Sequence, residues 1–450
     1  MSPRPRGVRI RPYLCLLMSL VIVGAVLGAC GERATLPVSA GFGPAPALPP
    51  PHRTLITTVN IAPATGWPPG GKPTAAPGLS VSLYASNLAH PRWLYVLPNG
   101  DVLVAETEAP PNRDTGGGIK AAIAKHLMAK AGAGSPSANR ITLLRGVGPG
   151  GLADTSTEFA SGLNSPFGMV LVGEDFYVAN TDALVKFHYS PGATHLDGPP
   201  SKVLDLPAGP IDYHWTKNVI ASQDGTKLYV TVGSNSNVGE RGLANEVRRA
   251  GILEVDRATG ASRIFASGLR NPNGLDWNPV TGALWTTVNE RDELGSDLVP
   301  DYMTSVRDGA FYGWPYSYFG AHVDVRVRPP RPDLVATAVV PDYALGAHTA
   351  SLGLVFYRAQ LLPERYRGGA FIGQHGSWNR DPASGYQVIY VPFTDGHPSG
   401  PPQEILAGFL SADGNALGRP VGVAVDASGA LLVADDVGNC IWRVTPAAGS

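Results

Sequence analysis

Apolar and polar residues alternate along this chain in pairs of short runs, and the paired pattern recurs six times. The clearest copies are Ala85-SNLAHPRWLYVLPNGDVLVAET, Ala160-SGLNSPFGMVLVGEDFYVANT and Ala266-SGLRNPNGLDWNPVTGALWTTVNE. In each, a small-residue turn leads into an apolar strand, a Gly- or Asn-containing hairpin turn follows, and a second strand returns. A shorter copy starts at His214 (HWTKNVIASQDGTKLYVTVGS). A looser one starts at His348 (HTASLGLVFYRAQLLPERYRGGAFIGQHG), and the last starts at Gly418 (GRPVGVAVDASGALLVADDVGNCIWRV). Strand pairs repeated every roughly 50–80 residues predict small sheets stacked in a ring, an all-β, six-bladed propeller with loop insertions. One blade alone leaves both faces bare, whereas six closing on each other cover them.

The repeat changes what the length implies. A chain of 450 residues would ordinarily suggest two or three domains, but one propeller accounts for residues 78–450. Charged residues are only 16%, against 55 Gly and 42 Pro, which suits short strands joined by many turns. The first 29 residues read as a targeting segment. Arg4, Arg6, Arg9 and Arg11 precede an apolar run from Tyr13 to Ala29, which is short for a membrane span. It ends in Leu27-Gly28-Ala29-Cys30, similar to a bacterial lipobox, so Cys30 is the expected lipidation site. Residues 30–77 are rich in Pro, Gly and Ala and read as a flexible tether. The expected location is the bacterial cell envelope: the outer side of the cytoplasmic membrane, the periplasm or the outer membrane, with a lipid anchor as the only membrane contact.

Cleavage before Cys30 would remove four Arg and no acid from a balance of 35 basic and 36 acidic residues. The weakly acidic remainder has no basic block, so nucleic acid is not an expected partner. Cys440 would be the one thiol left besides Cys30, in a setting that reads as a buried last strand. Two excursions interrupt the repeats. Residues 107–139 include Ile119-KAAIAKHLMAK, whose apolar spacing fits a short basic helix. This is a surface excursion or a docking element. Residues 292–341 contain Phe311-YGWPYSYFG, which could wall a ligand site or form a satellite core.

Polar residues at matching repeat positions should converge at one end of the central channel. They are His214, Arg270, Asn271, Asn273, Asn289 to Asp292, His375 and Arg419. Arginines with Asn side chains suit a planar polyanion bearing carboxylates, and a His suits a general base. There is no HExxH, no zinc-spaced Cys/His cluster, no Gly-x-Ser-x-Gly and no strand–GxGxxG–helix unit. Zinc hydrolase, α/β-hydrolase and Rossmann dehydrogenase are thereby disfavoured.

Six strings carry a closer resemblance: His214-WTKNVIASQDGTKLYVTVGSNSN, Gly268-LRNPNGLDWNP, Val288-NERDELGSDLVPDY, Gly309-AFYGWP, Phe371-IGQHGSWNR and Gly418-RPVGVAVD. In order along residues 79–446, they resemble the soluble glucose/sorbosone dehydrogenase family, nearest its sorbosone-dehydrogenase-like branch. The resemblance implies pyrroloquinoline quinone (PQQ) and calcium as cofactors and oxidation of an aldose or sugar aldehyde. A cytochrome or quinone would be the electron acceptor. It implies that His214 is the base, that Arg270 stabilises charge on the reduced cofactor, and that Asn271 contacts the cofactor. Arg419 would bind a cofactor carboxylate. The carbonyls of Arg291 and Asp292 would hold the calcium, with Asp297 and Tyr312 near a second calcium. Asn273 stands where the glucose-specific enzymes carry Gln, and His375 where they carry Lys, so the glucose assignment does not transfer. A calcium-dependent lactonase or esterase propeller and a non-catalytic binding propeller are the alternatives.

Overall fold

A computed structural model describes residues 32–54, 57–111, 113–114 and 125–448. The signal segment, Cys30 and the first part of the basic stretch, through residue 124, lie outside the described residues. Six sheets form the ring, and each begins with one of the six repeats. The first strands are Pro91–Val96, Met169–Val172, Val219–Ala221, Pro272–Trp277, Ser351–Phe356 and Pro420–Val425, here the inner strands of blades 1 to 6. The second strands return antiparallel beside them, pairing Pro91 with Glu106, Pro272 with Val288 and Pro420 with Asp435. The residues just before an inner strand and just after its partner therefore share one face of the ring.

The glycine of the repeat has a packing role. A Cβ on Gly274 of blade 4 would lie 2.7 Å from the backbone of Leu352 and Leu354 in blade 5. One on Gly422 of blade 6 would lie 2.7 Å from the Arg92 carbonyl in blade 1. Only a residue without a side chain lets neighbouring inner strands approach so closely. Further out, large side chains fill the gaps. Trp93, Phe159, Phe167 and Phe176 join blades 1 and 2, Trp285, Met303, Leu354 and Phe356 join blades 4 and 5, and similar clusters fill the other gaps. The ring closes through strand Leu79–Ala85, which becomes the outer strand of blade 6 by pairing with Cys440–Pro446. Cys440 is buried in that strand, and burial pushes its thiol far up, away from the thiolate.

The described residues between 32 and 77 do not form the free tether that their composition suggests. Phe42–Gly43 adds a fifth strand to blade 4 and Thr74–Ala75 adds one to blade 5. Trp67 packs edge-on against Phe409 and Trp442 and donates from Nε1 to Asp435 at 2.7 Å. Pro and Gly remove helix propensity, but they leave edge pairing and side-chain anchoring available. Of the basic segment, residues 125–130 are helical and Met128 is exposed. The aromatic run Phe311 to Gly320 is satellite core: Tyr312, Tyr318 and Phe319 are buried with Leu298 and Tyr302. Among the described residues no helix is long and apolar enough to cross a membrane.

Candidate active site

The shared face gathers the predicted residues. His214 ends the loop before the blade 3 inner strand, where its Nδ1 lies 2.9 Å from the Ser234 carbonyl. A carbonyl only accepts, so Nδ1 carries the proton and Nε2 is left with its lone pair. Burial holds the imidazole well below its ordinary pKa, and the nearby Arg270, Arg249 and Lys217 push the same way. His214 is thus a neutral base at pH 7. Its loop is held from behind: Arg249 donates to the His214 carbonyl at 3.1 Å, and Lys217 to the same oxygen at 3.3 Å.

Arg270 is 1% exposed. Its guanidinium reaches Asn237, Asn289, the Glu290 carbonyl and, at 3.1 Å, the Asp292 carboxylate. Every N–H has an acceptor, so Arg270 acts on the site through its charge. Burial raises the Asp292 pKa, but Arg270, His348 and Asn379 outweigh it and hold the group below the ordinary carboxylate range. Asn271 has a buried Oδ1 without a donor. A Cβ on Gly233 would run into that oxygen and come within 2.5 Å of the His214 Cβ. The glycine keeps the two side chains adjacent.

Around the rim, Arg92 of blade 1 lies over the Trp215 ring at 5.7 Å and donates to Asp436 of blade 6 at 2.7 Å. His375 of blade 5 meets the same carboxylate at 2.8 Å. Burial pushes His375 down to about 4 against the pull of Asp436, with Arg419 and Arg92 adding to the shift. It is therefore a neutral donor to Asp436, in place of the cation of the glucose-specific enzymes. Arg419 stacks over Tyr386 at 5.0 Å. The Nε atoms of Arg92 and Arg419 are buried donors without acceptors.

Several expected roles do not hold. Asn273 is buried and braces its neighbours, accepting from the Thr216 hydroxyl at 3.1 Å and donating to the Asn271 carbonyl, and it does not line the cavity at Tyr213. Asp297 anchors the N-terminal segment by accepting from Thr35 and Leu36. The Tyr312 hydroxyl donates to the Ser305 carbonyl at 2.7 Å. Neither is arranged for a second calcium. The Arg291 side chain is buried between Glu290 and Asp324, which leaves the role expected of its carbonyl untouched. The Asp292 carbonyl already accepts from Arg326 at 2.9 Å and Asn237 at 3.1 Å. Among the described residues no three His, Cys, Asp or Glu form a group able to hold a metal.

At Tyr213, the residue before His214, a cavity of 460 Å³ opens, lined also by Asn237, Asp292, Arg326 and Trp378, with Arg53 and Arg328 at its walls. This is within the usual size for a small-molecule site. Sequence reasoning missed Arg53, Arg326 and Arg328. The first lies in the supposed tether and the others in an insertion that no repeat aligns. Trp378 stood inside the string Phe371-IGQHGSWNR, where an aromatic after a strand end was the available signal.

The orphaned groups fit a planar, carboxylate-bearing ligand. Arg92 and Arg419 have N–H groups awaiting an anion, and the Asn271 oxygen awaits a donor. They do not fit a calcium at Asp292. A carbonyl oxygen has two lone pairs, and both are taken.

The sequence matches the glucose/sorbosone dehydrogenase family over residues 88–376, well over half the chain, and a TrAA12-like family over residues 335–447. It is 31% identical over 242 residues to an uncharacterized protein of Borreliella burgdorferi, covering 53% of this chain and 62% of that protein. It is 28% identical over 113 residues to an aldose sugar dehydrogenase of Escherichia coli, covering 25% of this chain and 29% of that one. The chain thus spans less than two thirds of either relative. The holo PQQ domain of pyranose dehydrogenase from Coprinopsis cinerea superposes with a TM-score of 0.66 at 20% identity, over 86% of this chain and 100% of that one. That likeness shows the shared fold.

Proposed function

The chain belongs to the glucose/sorbosone dehydrogenase family, and we propose that it is a PQQ-dependent oxidoreductase of an aldose or sugar aldehyde. The observation that carries this reading is His214. It is a neutral imidazole with Nδ1 tied to Ser234 and Nε2 left as a base, beside the buried charge of Arg270 and a cavity walled by Tyr213 and Trp378. Names of similar proteins support it: an aldose sugar dehydrogenase among the relatives and a PQQ domain among the folds.

When bound, the quinone supplies a two-electron acceptor for hydride from the sugar carbon. The protein does the rest. Tyr213 and Trp378 offer flat apolar surface to a sugar ring. His214 Nε2 takes the hydroxyl proton, a contribution of about 10²–10⁴-fold for a positioned base. The Lys217 and Arg249 bonds to its carbonyl hold the backbone that carries the ring. Arg270 lowers the energy of negative charge developing nearby, and its fixed partners spare any reorganisation when that charge appears. Arg92 and Arg419 supply donors for carboxylates. A cytochrome or quinone would then take the electrons, in an envelope location set by lipidation of Cys30.

The test is His214→Ala. Turnover of a sugar panel should fall at least about 10²-fold while PQQ affinity stays the same. Unchanged turnover would overturn the base assignment.

A further inference from the structure

One feature of the cavity differs from what the resemblance implies. The Asp292 carbonyl, expected to face a divalent cation, instead faces a guanidinium. Arg326 donates to it at 2.9 Å from Nη1. The other edge of Arg326 makes a two-pronged pair with Asp324, at 2.9 Å from Nε and 2.7 Å from Nη2. Asp324 is fully buried and is shared with Arg291, whose side chain is fully buried too. Held by the carbonyl and the carboxylate and 8% exposed, the side chain is a permanent part of the wall, with one N–H on each of Nη1 and Nη2 left over. It lines the cavity together with Asn237, which donates to the same carbonyl.

Several neighbouring side-chain oxygens are held by the protein, although Glu290 Oε1 and Asn379 Oδ1 are buried without a donor. The Asp292 carboxylate meets Arg270, Asn379 and His348. Glu240 accepts from the Asn237 and Val238 amides. Glu293 lies 3.8 Å from Arg326, so its carboxylate already has a cation beside it. A divalent cation would also have to sit against the charges of Arg326 and Arg270.

We propose that Arg326 stands in for the divalent cation, so that this chain holds an anionic quinone against a fixed guanidinium and loads it without calcium. The inference rests on the quinone reading above. Guanidinium is always charged and pairs in-plane with carboxylate or quinone oxygens, so it can supply both the charge and the direction of a bound ion.

The full-length protein, stripped with chelator, is titrated with PQQ by tryptophan quenching, once in chelator and once in excess calcium. The two affinities should agree within about twofold, and Arg326→Ala should weaken binding at least about tenfold in both buffers. Arg326→Lys, which keeps the charge, should recover part of that loss. Binding that requires calcium, or Arg326→Ala binding like the parent, overturns this inference and leaves the quinone reading standing. No binding in either buffer overturns the quinone reading and this inference with it. If Arg326→Ala does not fold, the comparison of buffers on the unaltered chain decides alone.

Discussion

Replacing Asp292 with Asn keeps the shape of the side chain and removes its charge. Arg270, 1% exposed and 3.1 Å away, would lose its counter-ion. Stripping one partner from a buried pair costs about 3–5 kcal/mol when the survivor has nothing else. Arg270 keeps its bonds to Asn237, Asn289 and Glu290, and the new amide oxygen can still accept. The expected cost is therefore nearer about 2–3 kcal/mol, or about 3–4 °C in Tm for a propeller of this size. The pH dependence separates Arg270 from a second partner. Asp292 also raises the pKa of His348, whose Nδ1 is 3.6 Å away, against the opposing effect of burial. A raised histidine contributes stability fully below its unfolded pKa, near 6.5, and loses it as pH rises through the folded value. Scanning calorimetry of parent and variant should therefore show a larger gap at pH 5 than at pH 9, with the Arg270 part remaining at pH 9. Below about pH 4 the gap should close as Asp292 itself takes up a proton. Equal Tm at pH 5 would refute the claim that Arg270 and His348 depend on this carboxylate.

Three further substitutions test other parts of the account. Gly233→Ala drives a Cβ against Asn271 and His214; stopped-flow turnover should fall at least tenfold, with a loss of about 1–3 kcal/mol in denaturant melts, and full activity would show that the cradle is not tight. His375→Gln removes a histidine held at about 4 in the fold. Because the unfolded chain binds the extra proton, the parent should lose stability as pH falls from about 6.5 to 4, and the variant should show a flatter Tm profile over that window. Trp67→Ala removes two ring contacts and the bond to Asp435. Because Trp67 is only partly buried, this should cost about 2–3 kcal/mol, and limited proteolysis should then cut within residues 60–77; a parent-like pattern would mean the segment is held elsewhere.

The repeat is local information, which is why so much of the fold could be read from it. Each inner strand and its return strand lie within one stretch of sequence. The antiparallel pairing then puts His214, Arg270, Asn289, His375 and Arg419 on one face without any further knowledge. What the sequence hid is long-range. The resemblance places Asp297 near a second calcium, but its partner Thr35 is 262 residues away. The stretch from Glu32 to Pro77 looked like a tether because composition reports local propensity, whereas its strands pair with residues near 345 and 406. Asn273 sat in the right place of the right motif, yet Thr216 in the neighbouring blade takes its oxygen. Arg326 lies in an insertion, where repeat alignment has nothing to say, and only the fold brings it to the Asp292 carbonyl.

The most direct test of the central claim is titration of the purified protein with PQQ, followed by absorbance while aldoses and sugar aldehydes are added in turn. Saturable binding is expected, then bleaching of the oxidised quinone by one class of sugar, with the bleaching rate falling at low pH as His214 takes up a proton. Absence of PQQ binding, or bound quinone that no sugar of the panel reduces, would contradict it.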